Sequence, residues 1–138
     1  MTAYSTQMEA ARKGIVTPQM EAVLAVEPIS KEDLLQGIAA GRIAIPCNKA
    51  HTCLPGIAVG RGLTTKINVN LGVSKDECAF EREMKKADMA VAHKAHALMD
   101  LSVAGDTEAF RKQLVEKVPL MIGTVPIYDT LTDRKSVV

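Results

Sequence analysis

Hydrophobic and polar positions follow three regimes along this chain: capped helical segments up to Gly41, an irregular stretch to about residue 65, and a regular strand and helix alternation from Lys66 onward. In the first regime Thr6-Gln7-Met8-Glu9 has the form of a capping box, and Gly14 supplies the left-handed stop after Lys13. Thr17-Pro18 restarts the helix, with Thr as N-cap and Pro at the first helical position, and Pro28 closes it. Ser30-Lys31-Glu32-Asp33 caps a third helix through Leu34, Leu35 and Ile38 to Gly41. Such short elements are expected to lack a core of their own and to pack on something larger. Ile43-Ala44-Ile45-Pro46 is a short extended run, and Pro55 to Gly62, rich in Gly and Pro, reads as loop.

From Lys66 the period changes. Lys66 to Leu71 alternates as a strand and Gly72 breaks it. Ser74-Lys75-Asp76-Glu77 is expected to open a helix whose apolar face is Phe80, Met84, Ala87 and Val91. Ala97 to Leu101 is the second strand, Asp106 or Thr107 caps a helix with Phe110, Leu114 and Val118 on one face, and Leu120 to Val125 is the third strand. The order β-α-β-α-β with crossovers of this length predicts an α/β fold with a parallel sheet and right-handed connections. A doubly wound sheet and a (β/α)8 barrel both begin this way. The expected organisation is therefore residues 1–65 as short helices and loop, and 66–132 as the β/α part.

In parallel α/β folds the carboxyl ends of the strands face the ligand crevice. Three residues near those ends, Asn70, Met99 and Tyr128, recur at an interval of 29 positions, so they are the candidate binding residues. Asn68 and Asn70 share one strand face, and two amides facing one way are awkward in a dry core. Met99 serves packing as readily as ligand contact, and Asp100 and Ser102 can bind a partner or cap the next turn. A phenol just past a strand end, as at Tyr128, can hydrogen-bond a polar ligand or cover core. His93 and His96 have a metal-compatible spacing without a third ligand nearby, and a cation near a helix C-terminus is favoured in any case. Gly60-Arg61-Gly62 lacks the flanking strand and helix of a phosphate-binding loop.

Composition narrows the partners. A net charge of +1, with no Trp, two Phe and two Tyr, offers neither a field for nucleic acid or anionic lipid nor a platform for stacking bases. Met1 to Lys13 lacks the apolar stretch of a signal peptide and no run approaches a membrane span, which points to a cytoplasmic protein. Cys47, Cys53 and Cys78 are odd in number and spaced unlike a metal or redox pair, so they are expected to be reduced thiols used for packing.

Thr6 to Glu21, Ile45-Pro46-Cys47-Asn48, Lys66-Ile67-Asn68-Val69-Asn70-Leu71-Gly72, Met99-Asp100-Leu101-Ser102 and Gly123-Thr124-Val125-Pro126-Ile127-Tyr128 resemble, in order, stretches of the ThiC-type phosphomethylpyrimidine synthases. The resemblance spans Thr6 to about Thr130. It implies the first three β/α units of a (β/α)8 TIM-type barrel preceded by short N-terminal helices. It also implies a radical S-adenosylmethionine lyase, homodimeric at full length, that converts 5-aminoimidazole ribotide to 4-amino-5-hydroxymethyl-2-methylpyrimidine phosphate for thiamin. The substrate-binding roles of that family fall on Asn70, Met99 and Tyr128; no catalytic residue is assigned. The family's 4Fe-4S cluster, S-adenosylmethionine and a divalent metal such as zinc are held by Cys-x2-Cys-x4-Cys and histidines beyond the third strand. This chain is therefore expected to contain no cofactor or metal ligand and to be inactive alone.

The departures from the family pattern open other readings. Val69 and Leu71 stand where Ala and Ile are common, Val103-Ala104 where Thr-Gly is common, and Cys47 and Ala50 alter the stretch that ends in the family histidine, here His51. Such drift is compatible with the similar 5-hydroxybenzimidazole synthases, which use the same ribotide to make a cobamide lower ligand. A non-catalytic small-ligand-binding module using Asn70 and Tyr128, and a subunit completing a barrel with a second chain, are the readings from other classes. Asp133-Arg134-Lys135-Ser136-Val137-Val138 matches the translation of a common sequencing-adapter sequence, so residues 133–138 are expected to be a non-native tail.

Overall fold

The computed structural model describes residues 4–48 and 50–132, and the expected tail at 133–138 lies outside them. The described residues form two compact units, one of 4–48 with 55–66, the other of 50–54 with 67–132.

The first unit begins with three capped helices. Thr6, Thr17 and Ser30 each turn a side-chain oxygen to the amide three residues on, Glu9, Met20 and Asp33, at 3.0, 3.2 and 3.1 Å. They start α1 (Gln7–Arg12), α2 (Pro18–Leu24) and α3 (Lys31–Ala39). Gly14 and Gly41, both at φ +71°, provide the left-handed residue that ends α1 and α3. These helices do have a core, contrary to the expectation from their length. Ala10, Met20, Val23, Leu34 and Ile38 pack with Ile43, Ile45 and Ala58. The last three come from the stretch that reads as irregular, where β1 (Ile43–Ala44) and β2 (Val59–Gly60) pair antiparallel. Two-residue strands are too short to show a period, so their core contribution is invisible to patterning.

Lys66 closes this unit onto Glu27 through a 2.6 Å ion pair whose side chains are both at least nine-tenths buried. Burial pushes the Glu27 carboxyl up, but hydrogen bonds from Lys66 and from the Thr64 amide and hydroxyl, with the Lys66 charge, outweigh it and hold the carboxyl below its ordinary range.

The second unit is the β/α part. Its sheet runs β3 (Asn68–Leu71), β4 (Ala97–Asp100), β5 (Met121–Thr124), all parallel, with Asn70 opposite Met99 and Met99 opposite Gly123. Crossover helices α4 (Phe80–Ala92) and α5 (Thr107–Lys117) connect the strands, and α6 (Pro126–Thr132) follows β5. Leu71, Leu98 and Leu120, with Val69 and Ile122, meet Ala87, Ala90, Phe110 and Leu114 in one apolar layer. Phe80 stacks on Phe110 at 4.7 Å between ring centres. The α/β class and parallel order agree with the pattern along the sequence.

Several local expectations are corrected. The Ser74–Glu77 capping box does not start α4: the Ser74 amide donates to the Glu77 carbonyl at 3.1 Å, closing a turn that uses an acceptor the helix would need. The helix begins instead at Phe80, after Ala79, which makes no side-chain cap. The third strand ends at Thr124 rather than Val125, and Pro126 opens a short helix that the pattern along the sequence does not predict. All three cysteines are free thiols, but exposed rather than packed, because each lies outside the regular elements. His96 accepts the Ile67 amide on Nδ1 at 3.0 Å, and His93 forms the C-cap of α4. Among the described residues no helix is long and apolar enough to cross a membrane.

Two outcomes follow from this packing. Phe110→Ala removes a buried ring from the α/β layer and is expected to cost about 3–5 kcal/mol in urea unfolding. The depressed Glu27 pKa adds stability that is complete above the unfolded carboxyl value and fades as pH falls from about 4.5. Lys66→Met is expected to cost about 3 kcal/mol at pH 7 by stranding the Glu27 charge, and to flatten the acid limb of a stability against pH curve.

Candidate functional site

Strand alternation divides the sheet into a helix-facing side and an open side. Val69 and Leu71 pack toward the helices, whereas Asn68 and Asn70 are exposed on the other face. The two amides answer each other: Asn68 Nδ2 donates to Asn70 Oδ1 at 2.9 Å, which orients the Asn70 amide. Next to Asn70, on the same face and in register, stands Met99, and beyond it Gly123. A Cβ at position 123 would overlap the Met99 sulfur, so the glycine is what lets that side chain lie across β5.

Tyr128 is placed differently. It lies past the end of β5 in the first turn of α6, half-buried, with its amide donating to the Val125 carbonyl at 3.0 Å. Thus the structure brings Asn70 and Met99 side by side on neighbouring strands, whereas Tyr128 follows the third strand and the register partner of Met99 is Gly123.

The carboxyl ends of the strands are bound together by a polar network on the helix-facing side. Asp100 is fully buried at the end of β4. One of its oxygens accepts the Ser102 amide at 3.0 Å and the Ser102 hydroxyl at 2.5 Å, and the other accepts Arg111 Nε at 2.7 Å. The buried Ser102 oxygen in turn accepts the Val73 amide, past the end of β3, at 3.2 Å. Arg111 also holds Asp129 of α6 through both terminal nitrogens, at 2.6 and 3.1 Å. Hydrogen bonds to Asp129, against a smaller effect of burial and with further help from Asp100, raise the Arg111 pKa above its already high value. The same guanidinium holds the Asp129 carboxyl below the usual range, with a smaller contribution from the Thr107 hydroxyl.

A cleft of about 420 Å³ lies at the carboxyl end of β3, lined by Asn70, Gly72, Ser74, Arg82, Glu83 and Lys86 among others. Its wall is polar and internally paired. The buried Glu83 carboxylate accepts the Gly72 amide at 2.8 Å and Lys86 at 2.6 Å, and Arg82 pairs with Glu77. Met99 and Tyr128 are not part of this lining.

Sequence reasoning misses Gly123, Glu83, Arg111 and Asp129. Glu83 leaves a detectable signal, a carboxylate inside the apolar stripe of α4 between Phe80 and Ala87. Arg111 leaves none, because its two partners are distant in sequence and an Arg beside Phe110 on a helix is unremarkable by pattern. His51 is buried with Nε2 at 2.7 Å from the Val118 carbonyl, a tie to the residue that ends α5.

Comparison with known proteins shows the family of the chain. The family model described as Radical SAM ThiC family matches residues 6–138. The chain is 56% identical over 128 residues to the phosphomethylpyrimidine synthase of Alkaliphilus metalliredigens, and 52% identical over 128 residues to those of Clostridium tetani and Pelotomaculum thermopropionicum. Each alignment covers 93% of this chain and 29%, 28% and 30% of the respective relative, so the chain spans less than a third of their length. With ordered matches across nearly all of its residues, the chain belongs to the Radical SAM ThiC family.

Proposed function

We propose that these residues form the beginning of the barrel of a phosphomethylpyrimidine synthase, a radical S-adenosylmethionine lyase that rearranges 5-aminoimidazole ribotide into the thiamin pyrimidine phosphate. In this reading residues 1–65 precede the barrel, β3 to β5 are its first three strands, and their open face is the one a closed barrel turns inward. The complete protein acts in the cytoplasm as a homodimer. The observation that supports it is the side-by-side placement of Asn70 and Met99 on that face, in a chain of this family.

The chemistry of the three residues suits a small polar substrate. With its oxygen engaged by Asn68, the Asn70 amide presents its NH2 group as a donor. Met99 offers a polarisable apolar surface for a flat heterocycle, and the Tyr128 phenol can donate to or accept from ribose or phosphate oxygens. Asn70, Met99 and Tyr128 are accordingly assigned to substrate binding, not to bond breaking.

The cofactors do not fit the described residues. Cys47, Cys53 and Cys78 are free thiols, and no group of three or more His, Cys, Asp or Glu among the described residues could hold a metal ion. No step is therefore routed through the 4Fe-4S cluster, S-adenosylmethionine or a zinc ion.

The test is anaerobic reconstitution of the complete enzyme with iron and sulfide, followed by incubation with the ribotide and S-adenosylmethionine. The expected products are the hydroxymethylpyrimidine phosphate and 5′-deoxyadenosine. 5-Hydroxybenzimidazole instead would assign the chain to the cobamide branch, and ribotide binding without turnover would assign a binding module. Within the active enzyme, Asn70→Ala is expected to lower kcat/KM by about 1–3 kcal/mol, the cost of an unpaired polar partner, whereas Met99→Leu stays within a few-fold. Equal losses would contradict the assigned roles.

A further inference from the structure

Asp129 follows Tyr128 directly in α6, and its carboxylate makes the contacts to α5: both terminal nitrogens of Arg111 and the Thr107 hydroxyl at 3.2 Å. From this geometry we infer that Arg111 is the positioning residue for Tyr128, acting through Asp129; the inference rests on the substrate-binding role proposed above for Tyr128.

Arg111 is suited to the task because one end of its guanidinium cannot move. Its Nε is held by Asp100, which is fully buried and fixed in turn by the amide and hydroxyl of Ser102. The planar fork then projects its terminal nitrogens in a set direction, and the Asp129 carboxylate meets both. A lysine, with a single point of charge, could serve one carboxylate or the other but could not transmit the orientation of the first to the second.

The element being oriented needs such a tie. Helix α6 has 7 residues, a length at which a helix depends on tertiary contacts for its order. Its first turn carries both Tyr128 and Asp129, so fixing the carboxylate fixes the backbone from which the phenol projects. The result is a relay from the buried end of β4, where Met99 precedes Asp100, to the residue after β5 that completes the proposed binding set.

The Asp129 end of the relay is partly exposed, with about 38% of the side chain accessible, whereas Asp100 has none. A partly exposed pair adds little to stability, so cutting it there separates placement of Tyr128 from holding the fold. Asp129→Asn keeps size and polarity and leaves the buried pair of Asp100 with Arg111 intact.

The experiment is steady-state kinetics of the complete enzyme with D129N, R111K, Y128F and the D129N/Y128F double variant, each with a thermal melt. D129N is expected to raise KM for the ribotide about tenfold with kcat within about threefold and the melting temperature close to wild type. R111K should raise KM in the same way. The double variant should match Y128F alone, since a misplaced ring that has lost its hydroxyl has nothing further to lose. An unchanged KM in D129N beside a raised KM in Y128F overturns the positioning role and leaves the function reading standing. An unchanged KM in Y128F overturns both. Additive effects in the double variant, or a fall in melting temperature with KM unmoved, would make the network a purely structural one and overturn the inference.

Discussion

A carboxylate with no access to water is the constraint on which the second unit depends. Removing an isolated charge from water is costly enough that Asp100 must be fully paired in the fold, and its geometry is dictated by the partners it needs. Its three donors come from two places: the Ser102 amide and hydroxyl in the turn after β4, and Arg111 from α5. Ser102 then ties in Val73 after β3, and Arg111 ties in Asp129 after β5. Each strand end is thereby referred to one buried point. Loosening a contact of Asp100 itself would leave a buried charge under-compensated, so the turn after β4 and the Arg111 side chain of α5 are tied to the end of that strand.

The position of that point explains how the sheet leaves one face open for the proposed site. Consecutive residues of β4 face opposite ways, so Met99 faces the open side while Leu98 and Asp100 face the helices. The apolar layer of Leu71, Leu98, Phe110 and Leu114 holds the strands in register, and the Asp100 network finishes that layer at its carboxyl edge. The opposite side is left to Asn68, Asn70, Met99 and Gly123, none of which is needed to hold α4 or α5. Packing and the proposed recognition thus fall on alternate residues of the same strands.

Much of this was legible in the sequence where a period exists to be read. The three caps, the two crossover helices and the parallel order of the strands follow from Thr6, Thr17, Ser30, from Phe110 and Leu114 at helical spacing, and from alternation around Asn70. The interval from Asn70 to Met99 corresponds to true register, but that from Met99 to Tyr128 does not, because β5 ends at Thr124 and Pro126 turns the chain into a helix. Ser74 to Glu77 misleads for a related reason: a hydroxyl three residues before a glutamate suits a tight turn as well as a helix start, and only the Ser74 to Glu77 backbone bond decides between them. Of the Asp100 network only the local pair of Asp100 and Ser102 was legible, because Val73, Arg111 and Asp129 join it through residues distant in sequence and each ordinary on a surface.

The same alternation bears on the positions where this chain departs from the pattern it resembles. Val69 and Leu71, in place of the more common Ala and Ile, both lie on the helix-facing side, where they pack against the layer of Ala87, Ala90 and Phe110. Core positions accept apolar exchanges when neighbouring volumes adjust, and such exchanges do not reach the other face. Asn68 and Asn70, which keep the pattern, are the residues exposed on that face and joined by their amide hydrogen bond. Val103, in place of Thr, is held through its amide to the Val73 carbonyl at 2.9 Å, a bond that any side chain at that position permits. Cys47 is exposed in a loop of the first unit, and Ala50 is exposed in the short segment that belongs to the second. The packing exchanges on β3 therefore leave the open-face row of Asn70, Met99 and Gly123 untouched, whereas Val103 lines the cleft at the carboxyl end of β3.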